Sequence, residues 1–438
     1  MFVRIKIKVY IFVKNITPHQ IFMKINSPHY FHIPVMGLGF TIDTPFKVAK
    51  YGISSVISII EDNLIEQMRE VICKQENIEY IKISDNETDH RSARISAYLN
   101  LLDHVINKQI NKIKREGFDT GKNLNQYFEM LPDKSEQKKL YQSLKSFGTE
   151  ERPSIEKTLK GFIVPGSIDV NIMTKVDKTN LDKNGDALPA EDSDALSALR
   201  GYANSNLKSS IIFSAGMNPR LFSYCEKFAD FFPDANGVIK KKIVLKVSDY
   251  RSALIQGKYL AKKGLWVSEF RVESGINCGG HAFVSGGILL GPILEDFKTK
   301  RNELFEELYN DCLNSLVKTN RFTFKDKPDL KITAQGGIGT SNENNFLLEY
   351  YNLDSTGWGS PFLLVPEATN VDNETLQKLV NAKKEDYYLS NSSPLGVPFN
   401  NFRKSSSETQ RKTRISKNKP GSPCYKKFLV SNTCCCTN

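Results

Sequence analysis

The sequence predicts a (β/α)8 TIM barrel from two observations. Short apolar segments alternate with helical patterns, and two glycine-rich turns follow one another near the end of that alternation. Strands that alternate with helical connections are typical of a parallel sheet, and eight such units close into a barrel. The eight candidate strands are residues 33–36, 55–59, 168–173, 210–213, 242–247, 266–272, 331–335 and 354–358.

The connections between these strands show helical periodicity. Leucine or cysteine recurs at every fourth position from residue 304 to residue 316, which gives one apolar face. Asp249 precedes a second helical pattern and is suited to cap its first turn. A third helical segment, residues 342–351, separates the last two strands. These segments are the helices expected between the strands of a barrel.

One connection, residues 74–161 between strands 2 and 3, is too long for a single helix. It is highly charged, but apolar residues follow a helical period at Leu102, Ile106, Ile110 and Ile113. We therefore expect a long helical insertion that is packed peripherally on the barrel. The pattern leaves open that this insertion forms a lid.

The net charge of +11 is concentrated at the two ends of the chain. Residues 1–31 contain five Lys or Arg and no acidic residue, and residues 401–438 contain nine against one Glu, so the remainder carries about −2. A nearly neutral body argues against nucleic-acid binding. We expect an N-terminal extension over residues 1–22, the barrel over 23–400 and a basic, flexible tail over 401–438.

The eight cysteines are scattered or stand in one terminal run, without the paired spacing of a zinc site or a disulfide scaffold. Scattered cysteines suit a reducing compartment. No apolar run approaches about 18 residues, so the sequence gives no sign of a membrane span. These features predict a soluble, cytoplasmic protein without bound metal.

The two glycine-rich turns predict a phosphate site. Strand ends without side chains let backbone N–H groups approach an anion, and a helix start adds its positive end. In TIM barrels the phosphate site commonly lies in the loops after strands 7 and 8. The alternative is that the glycines only form turns between strands. The residues concerned are Gln335, Gly336 and Gly337 in the first turn and Gly357, Gly359 and Ser360 in the second.

A third glycine-rich stretch follows the sixth candidate strand and ends in Gly279, Gly280 and His281. The C-terminal end of a barrel strand is the catalytic face. Imidazole titrates near neutrality, so His281 is suited to act as a general base there. The alternative is a histidine that only hydrogen-bonds to a loop carbonyl.

Other nucleotide and hydrolase motifs are incomplete. Residues 34–40 look like a dinucleotide-binding fingerprint, but Ile42 stands where the third glycine belongs. Residues 117–123 lack the Walker spacing, and neither HExxH nor GxSxG occurs. The sequence therefore gives no support to an ATPase, a zinc hydrolase or a serine esterase.

Together the motifs resemble the nitronate monooxygenase family of FMN-dependent TIM barrels, formerly called 2-nitropropane dioxygenases. The resemblance covers residues 33–370 apart from the insertion, and the order and spacing of the motifs agree. The segments that carry it are residues 34–37, 44–45 and 48–52 (the opening strand and helix), 169–173 (a strand with a flavin-contacting Asn), 275–281 (the G-x-E-A-G-G-H motif), and 335–338 and 357–362 (the FMN phosphate loops).

This resemblance implies FMN on the C-terminal face of the barrel. It implies that His281 takes the α-proton of a substrate before electrons pass to the flavin and then to oxygen. The residues expected to bind the cofactor are Met36, Gly37, Asn171, Gly279, Gly280, Gln335, Gly336, Gly337, Gly357, Gly359 and Ser360.

The chain departs from the family pattern at Asn277, which replaces the acid of the histidine motif, and at Cys278, which replaces its alanine. These changes leave the nitronate substrate open. Two alternatives remain: an FMN-dependent enoyl reductase that uses NAD(P)H, and a barrel that binds a phosphorylated ligand without catalysis. The expected partners are a small-molecule substrate with O2 or NAD(P)H, and a homo-oligomer is left open.

Overall fold

The structure is a computed structural model that describes residues 28–173, 177, 179–182, 184–214, 216–273, 290–390 and 399–420. Eight parallel strands form a closed barrel, in which each strand pairs with the next and β8 pairs with β1. The barrel strands are β1 (Phe31–Ile33), β2 (Ser54–Ser58), β3 (Ile168–Met173), β4 (Ser210–Ser214), β5 (Lys242–Val247), β6 (Val267–Val272), β7 (Lys331–Gln335) and β8 (Ser355–Gly357). The predicted (β/α)8 TIM barrel is confirmed.

Helices lie between the strands and beyond them. The described α-helices are α1 (Thr44–Val48), α2 (Asp62–Gln75), α3 (His90–Arg115), α4 (Lys122–Glu129), α5 (Glu136–Ser143), α6 (Arg152–Gly161), α7 (Asp194–Ala203), α8 (Pro219–Tyr224), α9 (Tyr250–Ala261), α10 (Leu290–Lys318), α11 (Ser341–Tyr350), α12 (Asn373–Val380) and α13 (Ser406–Ser416). Among these described helices, none combines the length and the apolar character needed to cross a membrane.

The first strand lies earlier than the sequence predicted. It spans Phe31–Ile33 instead of residues 33–36. The prediction failed because Pro34 has no N–H to donate to a neighbouring strand. The ladder to β8 therefore ends at His32, whose carbonyl accepts a hydrogen bond from the Trp358 N–H at 3.0 Å. The other seven strands lie within one residue of their predicted limits at each end.

The main core lies between the barrel and its ring of helices. Asp249 caps α9 as predicted, since its side chain accepts a hydrogen bond from the Ser252 N–H at 2.7 Å. The predicted apolar face of α10 is buried at Leu304, Leu308, Cys312 and Leu316. A smaller apolar group fills the barrel interior, with Val56, Ile212 and Val244 as its buried members.

The insertion between β2 and β3 is helical, as predicted, but it is not peripheral throughout. Buried residues of α3, including Tyr98 and Leu102, belong to the same core as the barrel. Helix α3 also packs tightly on α7, since a Cβ at Gly201 would lie 2.8 Å from the Cβ of Ile95. The expectation of a wholly peripheral insertion is therefore wrong for α3, which serves as one of the barrel helices.

Helices α4, α5 and α6 have a separate small core with the end of α3. Its buried members include Ile113, Phe128, Leu140 and Leu159. This unit follows the C-terminal end of α3 and leads directly into β3. It therefore stands beside the N-terminal end of the barrel strands, away from the face where TIM barrels perform catalysis.

The C-terminal segment contains more structure than the sequence indicated. The expected flexible tail was placed at residues 401–438, but β10 (Phe399–Phe402) pairs antiparallel with β9 (Tyr387–Ser390), and α13 follows. Helix α13 forms because Ser405 caps it by accepting a hydrogen bond from the Glu408 N–H. Residues 421–438 and the expected extension at residues 1–22 lie outside the described residues.

Candidate functional site

The C-terminal ends of β7 and β8 contain backbone N–H groups that no described residue accepts from. Gly336 and Gly337 have φ angles of 92° and 73°, which favour glycine, and together they turn the chain out of β7. Within the described residues, no acceptor is found for the N–H groups of Gly337, Ile338, Gly359 and Ser360. Since these neighbouring strand ends also lack bulky side chains at the glycines, they form a site suited to an anion.

The start of α11 contributes less to this site than the sequence suggested. The carboxylate of Glu343 accepts hydrogen bonds from the N–H groups of Gly339 and Thr340, each at 2.9 Å. The Thr340 hydroxyl accepts one in turn from the Glu343 N–H, which completes a capping box. The first donors of the helix are therefore already occupied, and the free amides are those of Gly337 and Ile338.

Two of the predicted glycines have different roles. A Cβ at Gly357 would lie 2.6 Å from Nε2 of His32 and 2.8 Å from Cγ of Gln335, so Gly357 makes room for these side chains inside the barrel. A Cβ at Gly359 would only make ordinary contact with Met36, at 3.5 Å. Met36 and the end of β8 are thus brought together, as the prediction requires of a shared cofactor site.

The side chain of Gln335 links three strands inside the barrel. Its Nε2 donates to Glu273 Oε1 at 3.2 Å, and its Oε1 lies 3.2 Å from Nε2 of His32. Glu273 in turn forms an ion pair with Lys246, at 2.7 Å between Oε2 and Nζ. The predicted residue Gln335 therefore belongs to a buried chain that runs from β5 to β1.

His32 is neutral in this arrangement. Burial, followed by the charge of Arg271, lowers the pKa of His32 to about 3. Because the carboxylate of Glu273 can only accept, Gln335 must direct its amide NH2 to Glu273 and its carbonyl to His32. The Nε2 of His32 therefore carries the hydrogen and donates a hydrogen bond to Oε1 of Gln335.

The remaining described site residues lie around the same end of the barrel. Asn171, on β3, is buried, and its Nδ2 donates to the Ser214 hydroxyl on β4 at 2.7 Å. Gly37 follows Met36 in the loop after β1, and its carbonyl accepts a hydrogen bond from the Thr41 hydroxyl at 3.3 Å. Each residue lies at or beyond the C-terminal half of its strand, as expected for cofactor contacts.

Three predicted residues lie outside the described residues. Gly279, Gly280 and His281 fall within residues 274–289, directly after Glu273. Their roles therefore stay predictions. Glu273 itself is described, and its side chain contacts Gln335 and Lys246.

Sequence reasoning missed Lys246, Glu273 and His32. The available signal was a charged or titratable residue in a mostly apolar strand or directly after it, because a buried parallel strand rarely contains one without a partner. In the described part of the chain, no group of three or more His, Cys, Asp and Glu side chains could hold a metal ion.

Comparison with known proteins gives structural similarity only. No protein-family model matches the chain, and the search of curated proteins finds no match. The enoyl reductase domain from the macrolactin biosynthesis cluster of Bacillus amyloliquefaciens is 17% identical, with a TM-score of 0.38 over 65% of this chain and 64% of that one. The nitroalkane oxidase of Streptomyces ansochromogenes is 11% identical, with a TM-score of 0.38 over 86% of this chain and 77% of that one.

A third similar structure is the IMP dehydrogenase/GMP reductase-like protein of Corynebacterium glutamicum, at 11% identity and a TM-score of 0.30 over 77% of this chain and 65% of that one. The chain spans 64% of the length of the enoyl reductase domain. The assignment of the fold rests on the strand order of the barrel itself.

Proposed function

We propose that the protein is an FMN-dependent oxidoreductase that oxidises a small carbon acid or a nitronate with O2. The observation that carries the proposal is the group of free backbone amides at Gly337, Ile338, Gly359 and Ser360. Such amides, at the ends of the seventh and eighth strands, fit a phosphate monoester. They offer room for one phosphate group, which favours FMN over FAD.

The side chains below these loops fit the rest of such a cofactor. Asn171 and Gln335 supply amide groups, and Lys246 supplies a positive charge that is paired with Glu273. Bound FMN would supply a two-electron acceptor. In this proposal the protein orients the ring and excludes water, and His281 removes the proton next to the activating group of the substrate.

The first test is the absorbance spectrum of the purified protein and the identity of the released cofactor. Gly337→Val should abolish flavin binding, because a β-branched residue is strained at a φ of 73° and would block the approach to the amides. Gly185→Val is the matched control, since Gly185 also has a positive φ, of 92°, but has open space around it. Release of FAD, or equal flavin content in both variants, would contradict the proposal.

The role of His281 is tested by His281→Asn. We expect flavin to remain bound while anaerobic reduction by a neutral carbon acid slows by about two to four decades. A preformed nitronate already lacks the proton, so its reaction should change much less. Loss of flavin, or an unchanged rate with the carbon acid, would make His281 a structural residue.

Stopped-flow reduction with a nitronate and with NADPH separates the proposed reaction from its alternative. Rapid reduction by NADPH, without reduction by the nitronate, would identify an enoyl reductase. A protein that binds FMN but is reduced by neither compound would instead be a barrel that binds a phosphorylated ligand without this chemistry.

A further inference from the structure

A cavity of about 580 Å³ opens at the N-terminal end of the barrel. It starts among the first residues of the strands and reaches Arg271 and Thr333 in the interior. TIM-barrel interiors are ordinarily filled by bulky branched side chains. Here the wall includes five small hydroxyl residues: Ser54, Ser167, Ser210, Ser268 and Ser355.

Arg271 contributes a buried guanidinium to this cavity. Its side chain is 4% exposed, and its Nε donates to Glu269 Oε1 at 2.8 Å. Neither of its Nη groups donates a hydrogen bond to a described residue. A guanidinium matches the paired oxygens of a carboxylate or a phosphate. The cavity therefore contains a buried cation whose Nη groups have no acceptor among the described residues.

Two lysines lie at the cavity mouth, nearer to the N-terminal ends of the strands than Arg271. Lys242 begins β5 and Lys331 begins β7, and both line the cavity. Among the described residues, neither ammonium has a hydrogen-bond acceptor or an ion-pair partner. Lys242 has a large exposed surface, but that surface lies within the cavity, where burial and then the charge of Lys331 lower its pKa. An anion between the two lysines would relieve their repulsion.

The acidic groups of the wall already have partners or stand at the edge. Glu269 pairs with Arg271, and Asp354 pairs with an arginine of α10 at 2.7 Å. Asp169 accepts a hydrogen bond from a serine hydroxyl at 2.6 Å, and Asp329 is exposed. The donors that lack partners are therefore cationic, while the hydroxyl groups of the wall suit a ligand that also carries hydroxyls.

We propose that this N-terminal cavity binds a small hydroxylated anion, whose phosphate or carboxylate group is held by Arg271, Lys242 and Lys331. The site is separate from the proposed flavin site, which lies at the opposite ends of the same strands. Occupation of one site therefore does not require occupation of the other.

Calorimetric titration of the full-length protein tests this proposal at constant ionic strength. The probes are glycerol 3-phosphate, glycerate and glycerol, which share a small hydroxylated skeleton and differ in their charged group. We expect saturable binding of at least one anion and none of glycerol, and the tighter anion identifies the phosphate or the carboxylate as the recognised group. Binding of neither anion would overturn the proposal.

Lysine substitutions locate the binding. Lys242→Gln and Lys331→Gln should each weaken the anion about tenfold or more, because each removes a charge-assisted hydrogen bond. Lys240→Gln is the matched control: it removes the same charge next to the site, but Lys240 pairs with Asp230 and does not line the cavity. Equal weakening in all three variants would indicate bulk electrostatic attraction and overturn the proposal.

Brief acetylation of the unmodified protein, followed by mass spectrometry, gives a readout that does not depend on any variant. Saturating anion should protect Lys242 and Lys331 at least several-fold, while Lys240 and Lys327 react unchanged. Uniform protection, or none at Lys242 and Lys331, would also overturn the proposal. Flavin content is measured in parallel, so that failure here is distinguished from failure of the proposed oxidoreductase function.

Discussion

The two ends of the barrel interior each contain a buried ion pair, but the pairs have different surroundings. Lys246 and Glu273 lie beside the loops that leave backbone amides free, and the lysine side chain is 17% exposed. Arg271 and Glu269 lie lower in the barrel, and their contacts are with other strand side chains such as Thr333. The same kind of interaction therefore lines the N-terminal cavity at one end and borders a candidate cofactor site at the other.

The lower pair should be the more important for stability. Glu269→Gln leaves the Arg271 guanidinium buried without its charge partner, so we expect a loss of about 3–5 kcal/mol in the free energy of unfolding. Urea denaturation measures this loss, and flavin content should stay unchanged. The control is Glu306→Gln, which breaks an exposed pair with Lys327 and should cost less than about 0.5 kcal/mol. A cost below about 1 kcal/mol for Glu269→Gln would show that the interior pair contributes little.

His32 connects the two ends, and its buried neutral ring should make the protein sensitive to acid. Its pKa, about 3 in the folded protein, is below the ordinary value of 6.5, so its stabilising contribution is present above pH 6.5 and is lost as the pH falls toward 3. Between pH 7.5 and pH 5.0 this amounts to about 2 kcal/mol. His32→Gln should therefore lose about 2 kcal/mol less than the unmodified protein over this range.

Urea denaturation at the two pH values measures the effect of His32. Glu269 does not interfere. Burial raises the pKa of Glu269, but the charge of Arg271 and the hydrogen bonds from Arg271 and Thr333 together lower it to about 2, which is below the range. His29 also has a pKa lowered by burial, but it is present in both proteins and cancels in the comparison. An equal pH dependence in both proteins would contradict a neutral His32.

The upper pair should affect the flavin more than the stability. Glu273→Gln leaves Lys246 without its counter-ion beside the proposed site, which favours the reduced, more negative flavin. We expect the midpoint potential to rise by about 30 mV, equivalent to about 1.4 kcal/mol for two electrons. Lys246→Met should shift it in the opposite direction. Shifts of the midpoint potential with the same sign in Glu273→Gln and Lys246→Met would contradict the distinction between the two pairs. An equal shift in Glu269→Gln would also contradict it.

The sequence predicted the strands well because their apolar residues are bounded by turn residues, and β3, β5 and β7 occupy their predicted limits. It misplaced β1, since apolar character continues through Pro34 while strand hydrogen bonding does not. It also failed to distinguish α3 from the rest of the insertion. A barrel helix and a peripheral helix have the same amphipathic pattern, and only the partner surface at Gly201 decides between them.

The site was predicted where a local motif carries it. Gly336 and Gly337 have the positive φ angles that their glycines suggested. The contacts of Lys246 and Glu273 could not be predicted, because they join residues from different parts of the chain. For the same reason the sequence did not reveal that Gly357 makes room for His32. The two residues are neighbours in space, but most of the sequence that forms the barrel lies between them.

Closure of the barrel has a consequence for how the chain is made. The seam joins Phe31 to Thr356 and His32 to Gly357, so the first strand can pair with β8 only after more than three hundred further residues have been translated. Contacts of such large sequence separation form late. During synthesis one edge of the first strand therefore stays unpaired. Meanwhile α3 and the small core of α4 to α6 can fold, because their residues have already left the ribosome.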